Sequence, residues 1–428
     1  MRKTIMAWSA CAAALLPALA ATTASADGLP SGVGQLATSE QTASSAGTST
    51  QTGASNQAIN VAILSPGAAA GAVTQANNSG ASSNAGNSNV TNQAAPQSGG
   101  GGGVQGVGQQ AGNEQTASST ATSTQTNPSN QAINVSILSP GSGGSGAVNQ
   151  SNNSHATSNA GNGNTTTQTA PQSGGGGGGG VSGVGQLADN QQTAGSTATS
   201  TQDHPSNTAV NLSILSGAKG HEEKKVAVPL VIGGGGAVTQ SNNSSATSNA
   251  GNSNSTTQYA PQSGGGAVLK NERCASCSPG GYPGVQGVGQ LATNEQSAGS
   301  TATSTQYSPS NTAADLPILS PYSGGGGAVN QANNSSAFSN AGNGNTTNQF
   351  APQSGGGRPG IQAVGQEAHN RQNAWSAATS TQFCPVNVAA GPFGAVTQAN
   401  TSYASSNAGN GNTTNQNAPQ AGWWPLAF

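Results

Sequence analysis

The side chains able to do covalent or metal chemistry are few. Cys11, Cys274, Cys277 and Cys384 are the only thiols in 428 residues, and His155, His204, His221 and His369 the only imidazoles. Cys274-Ala275-Ser276-Cys277 forms a CxxC. A structural zinc site needs four ligands, and the nearest histidine, His221, sits in a separate insertion. A redox CxxC belongs in a βαβ setting, which the surrounding sequence lacks. In an exported chain the pair reads as a local disulfide, with Cys384 either unpaired or crosslinking chains. The histidines fall at unrelated positions and read as solvated surface residues. No Ser-His-Asp set, paired-carboxylate signature or P-loop is present, and Gly174–Gly180 is not followed by the Lys-Ser/Thr that cradles phosphate. The expectation is a protein that is not an enzyme and takes no cofactor or metal.

Composition points the same way. Charged residues are 5% and aromatic residues 3%, while Gly numbers 65; an average domain is about a quarter charged. Ala and Gly stand where Leu, Ile and Phe fill an ordinary core, and they bury little apolar area per residue. Arg2 and Lys3, the apolar stretch Thr4–Ala20 and Ala24-Ser25-Ala26 before Asp27 form a secretory signal peptide over 1–26. A lipoprotein reading would use Cys11, but Trp8 stands where a small aliphatic residue is wanted. Without the leader, seven basic residues face eleven acidic ones, too few to make a nucleic-acid surface. No other segment is long and apolar enough to span a bilayer as a helix. The mature chain is expected outside the cell or on its surface.

The remainder repeats. Gly-Val-Gly-Gln begins at Gly32, Gly106, Gly183 and Gly287, and Ala-Val-Gly-Gln at Ala363; Gly-Ala-Val-x-Gln begins at Gly71, Gly146, Gly236, Gly327 and Gly394; Ala-Pro-Gln begins at Ala95, Ala170, Ala260, Ala351 and Ala418. These markers define modules at 27–103, 104–180, 181–286, 287–357 and 358–420, with an aromatic tail at 421–428. Each module has two halves and ends in a Gly-rich joint such as Gly99–Gly103. Module three is lengthened by two insertions. One carries Lys219, His221, Glu222, Glu223, Lys224 and Lys225, and the other Lys270, Glu272, Arg273, Cys274 and Cys277.

Within each half the period is two. In module four one parity runs Val329, Gln331, Asn333, Ser335, Ala337, Ser339, Ala341, Asn343, Asn345, Thr347, Gln349, Ala351, and the same types recur in the other copies. The other parity drifts and carries His155, Tyr259, Phe338, Phe350, Tyr403 and the charges Glu40, Glu114, Asp189, Glu295, Glu367 and Arg371. Successive strand side chains face opposite ways, so the fixed parity is the stacked interior. Identical amides in register can bond to the copies above and below, as in cross-β ladders. Candidate ladder residues are Gln75, Asn77, Asn87, Asn89 and Gln93 with Gln150, Gln168, Gln240, Gln258, Gln331, Gln349, Gln398 and Gln416. The predicted fold is all-β, a repetitive β-solenoid. A half-module of about twenty residues exceeds the usual 3–10 residues of a strand. Ala85-Gly86-Asn87 and Ala160-Gly161-Asn162 therefore read as bends, and each half-module as one coil. About ten coils would give a body roughly 50 Å long.

Between the halves, Gln51…Asn56…Ala58 recurs as Gln125…Asn130…Ala132, Gln202…Asn207…Ala209 and Gln306…Asn311…Ala313, with Ser two residues before the Gln. Gln-x4-Asn-x-Ala resembles the curlin repeat of curli fibres and other functional amyloids. The resemblance implies secretion, stacked β-arches and polymerisation into adhesive, biofilm-supporting fibres or matrix at the cell surface, with self-association the main partnership. Curlin units are shorter than the module found here, and Cys384-Pro385-Val386 is expected to break the motif in module five.

Three outward features complete the reading. Thr48/Thr50, Thr122/Thr124, Thr199/Thr201, Thr303/Thr305 and Thr379/Thr381 place Thr-x-Thr on the drifting parity. Stacked, they form an array resembling the ice-binding face of some β-solenoid antifreeze proteins, so a monomeric ice- or polysaccharide-binding module is the alternative function. Ile63-Leu64-Ser65-Pro66 and its copies at Ile137 and Ile318 are either a sticky inter-subunit patch or, on the favoured reading, a small hydrophobic plug ending a strand. Trp423-Trp424-Pro425-Leu426-Ala427-Phe428 either caps the last coil or docks on another surface.

Overall fold

The computed structural model describes residues 31–64, 71–99, 104–137, 146–174, 181–214, 236–264, 285–318, 327–355, 361–391 and 393–421. The signal peptide, the insertion charges, Cys274 and Cys277, most of the Gly-rich joints and all but the first residue of the aromatic tail lie outside the described residues.

Each module folds as four strands. Module one gives β1 (Ser31–Thr52), β2 (Ser55–Ile63), β3 (Val73–Ala94) and β4 (Gln97–Gly99). Module two gives β5 (Val104–Thr126), β6 (Ser129–Ile137), β7 (Val148–Thr169) and β8 (Gln172–Gly174). Module three gives β9 (Val181–Asp203), β10 (Ser206–Ile214), β11 (Val238–Tyr259) and β12 (Gln262–Gly264). Module four gives β13 (Val285–Tyr307), β14 (Ser310–Ile318), β15 (Val329–Phe350) and β16 (Gln353–Gly355), and module five β17 (Ile361–Phe383), β18 (Val386–Ala390), β19 (Val396–Asn417) and β20 (Gln420–Ala421). Like strands stack in parallel, making four five-stranded sheets. The register is residue on equivalent residue: Gln35 lies against Gln109, Asn77 against Asn152 and Ala250 against Ala341. The chain is an all-β solenoid-like repeat.

Two expectations are corrected. The rung is a whole module, so there are five rungs where ten half-module coils were expected. Five rungs make a slab about 24 Å tall, while a 22-residue strand runs about 70 Å. The two halves of a module lie across from each other as two sheets of one rung. The expected bends are also absent: β3 and β7 run straight through Ala85-Gly86-Asn87 and Ala160-Gly161-Asn162. A Cβ on Gly86 would sit 3.4 Å from the Gly161 carbonyl oxygen, and one on Gly161 3.3 Å from that of Gly251. These glycines serve close approach along the stack rather than a turn.

Strands of 22 or 23 residues are long for a sheet, and in-register pairing of identical residues on both sides is what sustains them. The facing long sheets interleave. Asn87 Nδ2 donates to the Gln41 carbonyl of β1 at 3.2 Å and to the Thr116 carbonyl of β5 at 2.7 Å, so β3 lies half a rung between them. Serine hydroxyls zigzag across this seam, Ser158 to Ser119 at 2.9 Å and Ser119 to Ser83 at 2.8 Å. Between the serines, Ala81, Ala121, Ala156, Ala198, Ala246, Ala302 and Ala337 form one buried column, and Ala85, Ala117 and their copies another. Small side chains allow the two backbones to approach closely, as a close-packed core without large residues requires.

The arch from the first sheet to the second turns on one residue with left-handed backbone: Gly53 (φ 61), Asn127 (φ 50), His204 (φ 49), Ser308 (φ 43) and Cys384 (φ 47). The five corners stack, with the Gly53 N–H donating to the Thr126 carbonyl at 2.8 Å and that of Ser308 to the Phe383 carbonyl at 2.8 Å. Gly and Asn tolerate this region, whereas an ordinary L-residue pays about 1–2 kcal/mol. Replacing Cys384 by Gly is expected to stabilise the fold by about 1 kcal/mol, offset in part by the extra freedom of Gly in the unfolded chain. The midpoint of guanidinium unfolding checks it. Module five does not break the arch: β18 stays in register, Asn311 against Asn387 and Ala313 against Ala389, and Gln382, Asn387 and Ala389 keep the Gln-x4-Asn-x-Ala spacing.

Candidate functional site

Alternation turns the fixed parity of every long strand inward, and register then brings copies of one residue into columns along the stack. Gln150 Nε2 donates to Gln75 Oε1 at 2.8 Å, and Gln240, Gln331 and Gln398 continue the chain at 2.9, 2.9 and 2.8 Å. Gln168, Gln258, Gln349 and Gln416 extend from Gln93 in the same way, at 2.7–2.9 Å. Asn77 Nδ2 donates to Asn152 Oδ1 at 3.0 Å, Asn87 to Asn162 at 3.0 Å and Asn89 to Asn164 at 3.2 Å. In most interior glutamines the second N–H reaches across the seam, as from Gln202 Nε2 to the Asn152 carbonyl at 2.8 Å. Gln150, Gln202 and Gln258 are fully buried, and a buried amide costs little only when its bonds are made.

The columns have a polarity. The inward glutamines just described donate to the preceding module, while the inward asparagines donate to the following one. The two ends of the stack therefore differ. At the first rung, Gln35, Gln41 and Gln51 have no earlier glutamine to donate to, although Gln35 and Gln51 still bond across the seam to the Ala94 and Asn78 carbonyls. At the last rung, Gln366, Gln372 and Gln382 donate backwards at 2.8 Å, and among the described residues no later strand lies against their Oε1 atoms.

The half-rung stagger makes the last rung a ledge. Interior strands of this sheet lie between two strands of the facing one, so Gln331 is 2% and Asn333 0% exposed. Among the described residues β19 has only β17 across from it, and its inward residues Gln398, Asn400, Ser402, Ala408, Asn410 and Asn412 are all exposed. Ser402 Oγ still bonds to Ser380 Oγ at 2.9 Å, so the ledge keeps interior geometry with no described strand covering it.

One column carries a carboxylate. Asn60 donates to Asn134 at 3.0 Å and Asn134 to Asn211 at 3.1 Å; in the next rung the register partner of Asn211 is Asp315. Asp315 is 8% exposed, and burial pushes its pKa up from the usual carboxylate value. With the folded pKa above the unfolded one, the contribution of Asp315 to stability is complete below the unfolded pKa and is lost as pH rises through the folded value. Asp315→Asn is expected to raise the thermal midpoint at pH 7, by an amount equivalent to about 1 kcal/mol, and to leave it unchanged at pH 3. Calorimetry at both pH values checks this.

The outward faces carry the drifting residues. Thr48, Thr122, Thr199, Thr303 and Thr379 form one register column, and Thr50, Thr124, Thr201, Thr305 and Thr381 the next. Thr120, Thr197 and Thr301 lie alongside, flanked by Ala46 and Ala377. All point away from the seam. Outward rings also stack: Tyr259 on Phe350 with centroids 5.3 Å apart, and Tyr307 on Phe383 at 5.0 Å. Nothing in the sequence announced these pairs, because register was needed to bring residues 76 and 91 positions apart together.

The expected hydrophobic plug is not a buried one. Ile63 points outward and is 55% exposed, as does Ile318 at 46%; Pro66, Pro140 and Pro321 lie outside the described residues. Among the described residues, no three His, Cys, Asp or Glu side chains come together to hold a metal ion, and no helix is long and apolar enough to cross a membrane. His204 and His369 each contact an exposed neighbouring carboxylate, Asp203 and Glu367, at 2.7 Å. Cys384 is an exposed free thiol at the last corner. No family model matches the chain, and no curated protein or solved structure is similar to it.

Proposed function

We propose that this is a secreted structural repeat protein that self-associates end to end, through its amide columns, into cell-surface fibres or extracellular matrix of the adhesive, biofilm-supporting kind. The observation that carries the proposal is the ledge on β19. Its exposed Gln, Asn, Ser and Ala side chains repeat the types that cover the interior seam, and β1 of a second copy carries the complementary set. Seated there, β1 would lie across from β19 and alongside β17, with Gln35, Gln41 and Gln51 donating to Gln366, Gln372 and Gln382. The contact is heterologous and does not close on itself, so it grows filaments; the end strands, unpaired on their outer edges among the described residues, supply the backbone bonds. The partial likeness to curlin repeats agrees with this reading. The seeded growth rate of the mature chain, followed with an amyloid dye, tests it. Ala404→Lys with Ala408→Lys on the ledge should reduce elongation at least tenfold while the circular dichroism spectrum stays β-rich; elongation at the parent rate would reject the proposal.

A second reading rests on the two outward threonine columns, each five deep. Spacings of about 6.6 Å along the strand and about 4.8 Å between rungs make a regular hydroxyl-methyl lattice, suited to ice or a polysaccharide surface. If the protein works this way as a monomer, Thr124→Lys with Thr201→Lys abolishes inhibition of ice recrystallisation. An effect equal to that of the parent would dismiss the reading.

A further inference from the structure

The short second sheet inverts the usual arrangement. Its inward side chains are polar or small: Asn56, Ala58 and Asn60 in β2, and Asn130, Ala132 and Asn134 in β6. Its outward side chains are the largest aliphatic ones in the repeat. Ile59, Ile133 and Val210 form one column, with Ala314 and Ala390 continuing it, and Val61, Val135, Leu212 and Leu316 form the next. Ile59 is 56%, Val61 55% and Leu316 47% exposed. No outward position on this sheet in any rung carries a charge, and none of the lysines that usually blunt such a surface stands there. The other outward faces of the slab are mostly Thr, Ser, Asn and Gly.

We infer that this face pairs with the same face of a second copy, joining two stacks side by side in a dry, interdigitated seam. A charge-free, flat, β-branched strip offers nothing to an anionic lipid, a nucleic acid or a charged protein, but it is complementary to itself. Nine residues in four rungs and five in the fifth cover roughly 550 Å² per copy and roughly 1,100 Å² per pair. That sits at the lower limit for a specific interface, so a lone pair is weak and the strip gains strength as stacks lengthen. The inference rests on the end-to-end reading only for that reinforcement.

The test uses the mature full-length chain, with mass per length from electron microscopy for filaments and sedimentation for short species. The parent is expected to show two-stack assemblies. Val135→Lys with Leu212→Lys should leave single stacks at half the mass per length, with an unchanged far-ultraviolet circular dichroism spectrum. Should the lysines unfold the chain, Val135→Thr with Leu212→Thr decides, by weakening pairing at least tenfold. Single-width filaments from the variants lose only the pairing. Side-by-side pairs without filaments from the parent would keep the pairing and overturn end stacking. Parent assemblies that are single-width at every concentration, variants that pair as the parent does, or capture by neutral phosphatidylcholine vesicles without pairing would each overturn the inference.

Discussion

Gln202→Glu is expected to destabilise the protein by about 4 kcal/mol at neutral pH, enough to unfold a domain of ordinary stability. Gln202 is fully exposed to its columns and not at all to water. Its Nε2 donates to Gln125 Oε1 at 2.8 Å and to the Asn152 carbonyl at 2.8 Å, and its Oε1 accepts from Gln306 at 2.8 Å. A carboxylate keeps the last of these bonds and loses the first two. Gln125 Oε1 then goes unsatisfied and the Asn152 carbonyl loses its side-chain donor beside a buried charge, and both effects add to the cost. Protonation restores one O–H donor. Burial raises the folded pKa of the new Glu above its unfolded value, so the variant approaches parental stability below about pH 4 and loses it as pH rises. Thermal melts at pH 3.5 and pH 7.5 should diverge strongly for the variant. Equal losses at the two pH values would show that the amide's shape, not its donors, is what the column needs.

Ala198→Leu carries the next largest effect, about 3 kcal/mol or more. Ala198 is 0% exposed and belongs to the column that runs Ala81, Ala121, Ala156, Ala198, Ala246, Ala302, Ala337 across both long sheets. Because the facing strands interleave at half-rung steps, each alanine is held from two rungs at once. An isobutyl group there must push the sheets apart, and the neighbouring serine bonds, such as Ser200 Oγ to Ser154 Oγ at 3.0 Å, stretch with them. Thr199→Leu, one residue along on the outward parity, should change stability by less than about 0.5 kcal/mol. The contrast between adjacent positions, read from denaturant midpoints, isolates the seam.

The inward parity was legible in the sequence because five copies hold it constant while the outer one drifts: Val329, Gln331 and Asn333 face in, and Phe338 and the threonine pairs face out. The rung was not. Alternation says which way a side chain points but not which strand lies beside it, and stacking half-module on half-module satisfies the same parity. What separates the two is register. First halves match first halves from Gln35 to Gln51 with no shift, whereas second halves follow another order and can only lie opposite. Gly86 looked like a turn because Gly and Asn usually are; here the column of glycines accommodates carbonyls along the axis. Cys384 looked like an interruption because its neighbours are unusual, yet the corner constrains backbone rather than side chain, and Asn387 keeps its place in the column, its Oδ1 accepting from Asn311 Nδ2 at 2.9 Å. The β19 ledge was not foreseeable, since the half-rung stagger leaves no trace in a repeat pattern.

The most direct test of a whole module per rung is a distance between Thr50 and Thr381, the first and last members of one outward column. Nitroxide labels at Thr50→Cys and Thr381→Cys, with Cys274 and Cys277 replaced by Ser and Cys384 by Gly, would be read by dipolar electron resonance under dilute, unpolymerised conditions. Four rung steps predict a narrow distribution near 20 Å. A distance near 40 Å, the value for stacked half-modules, or a broad featureless distribution would contradict the structure described here.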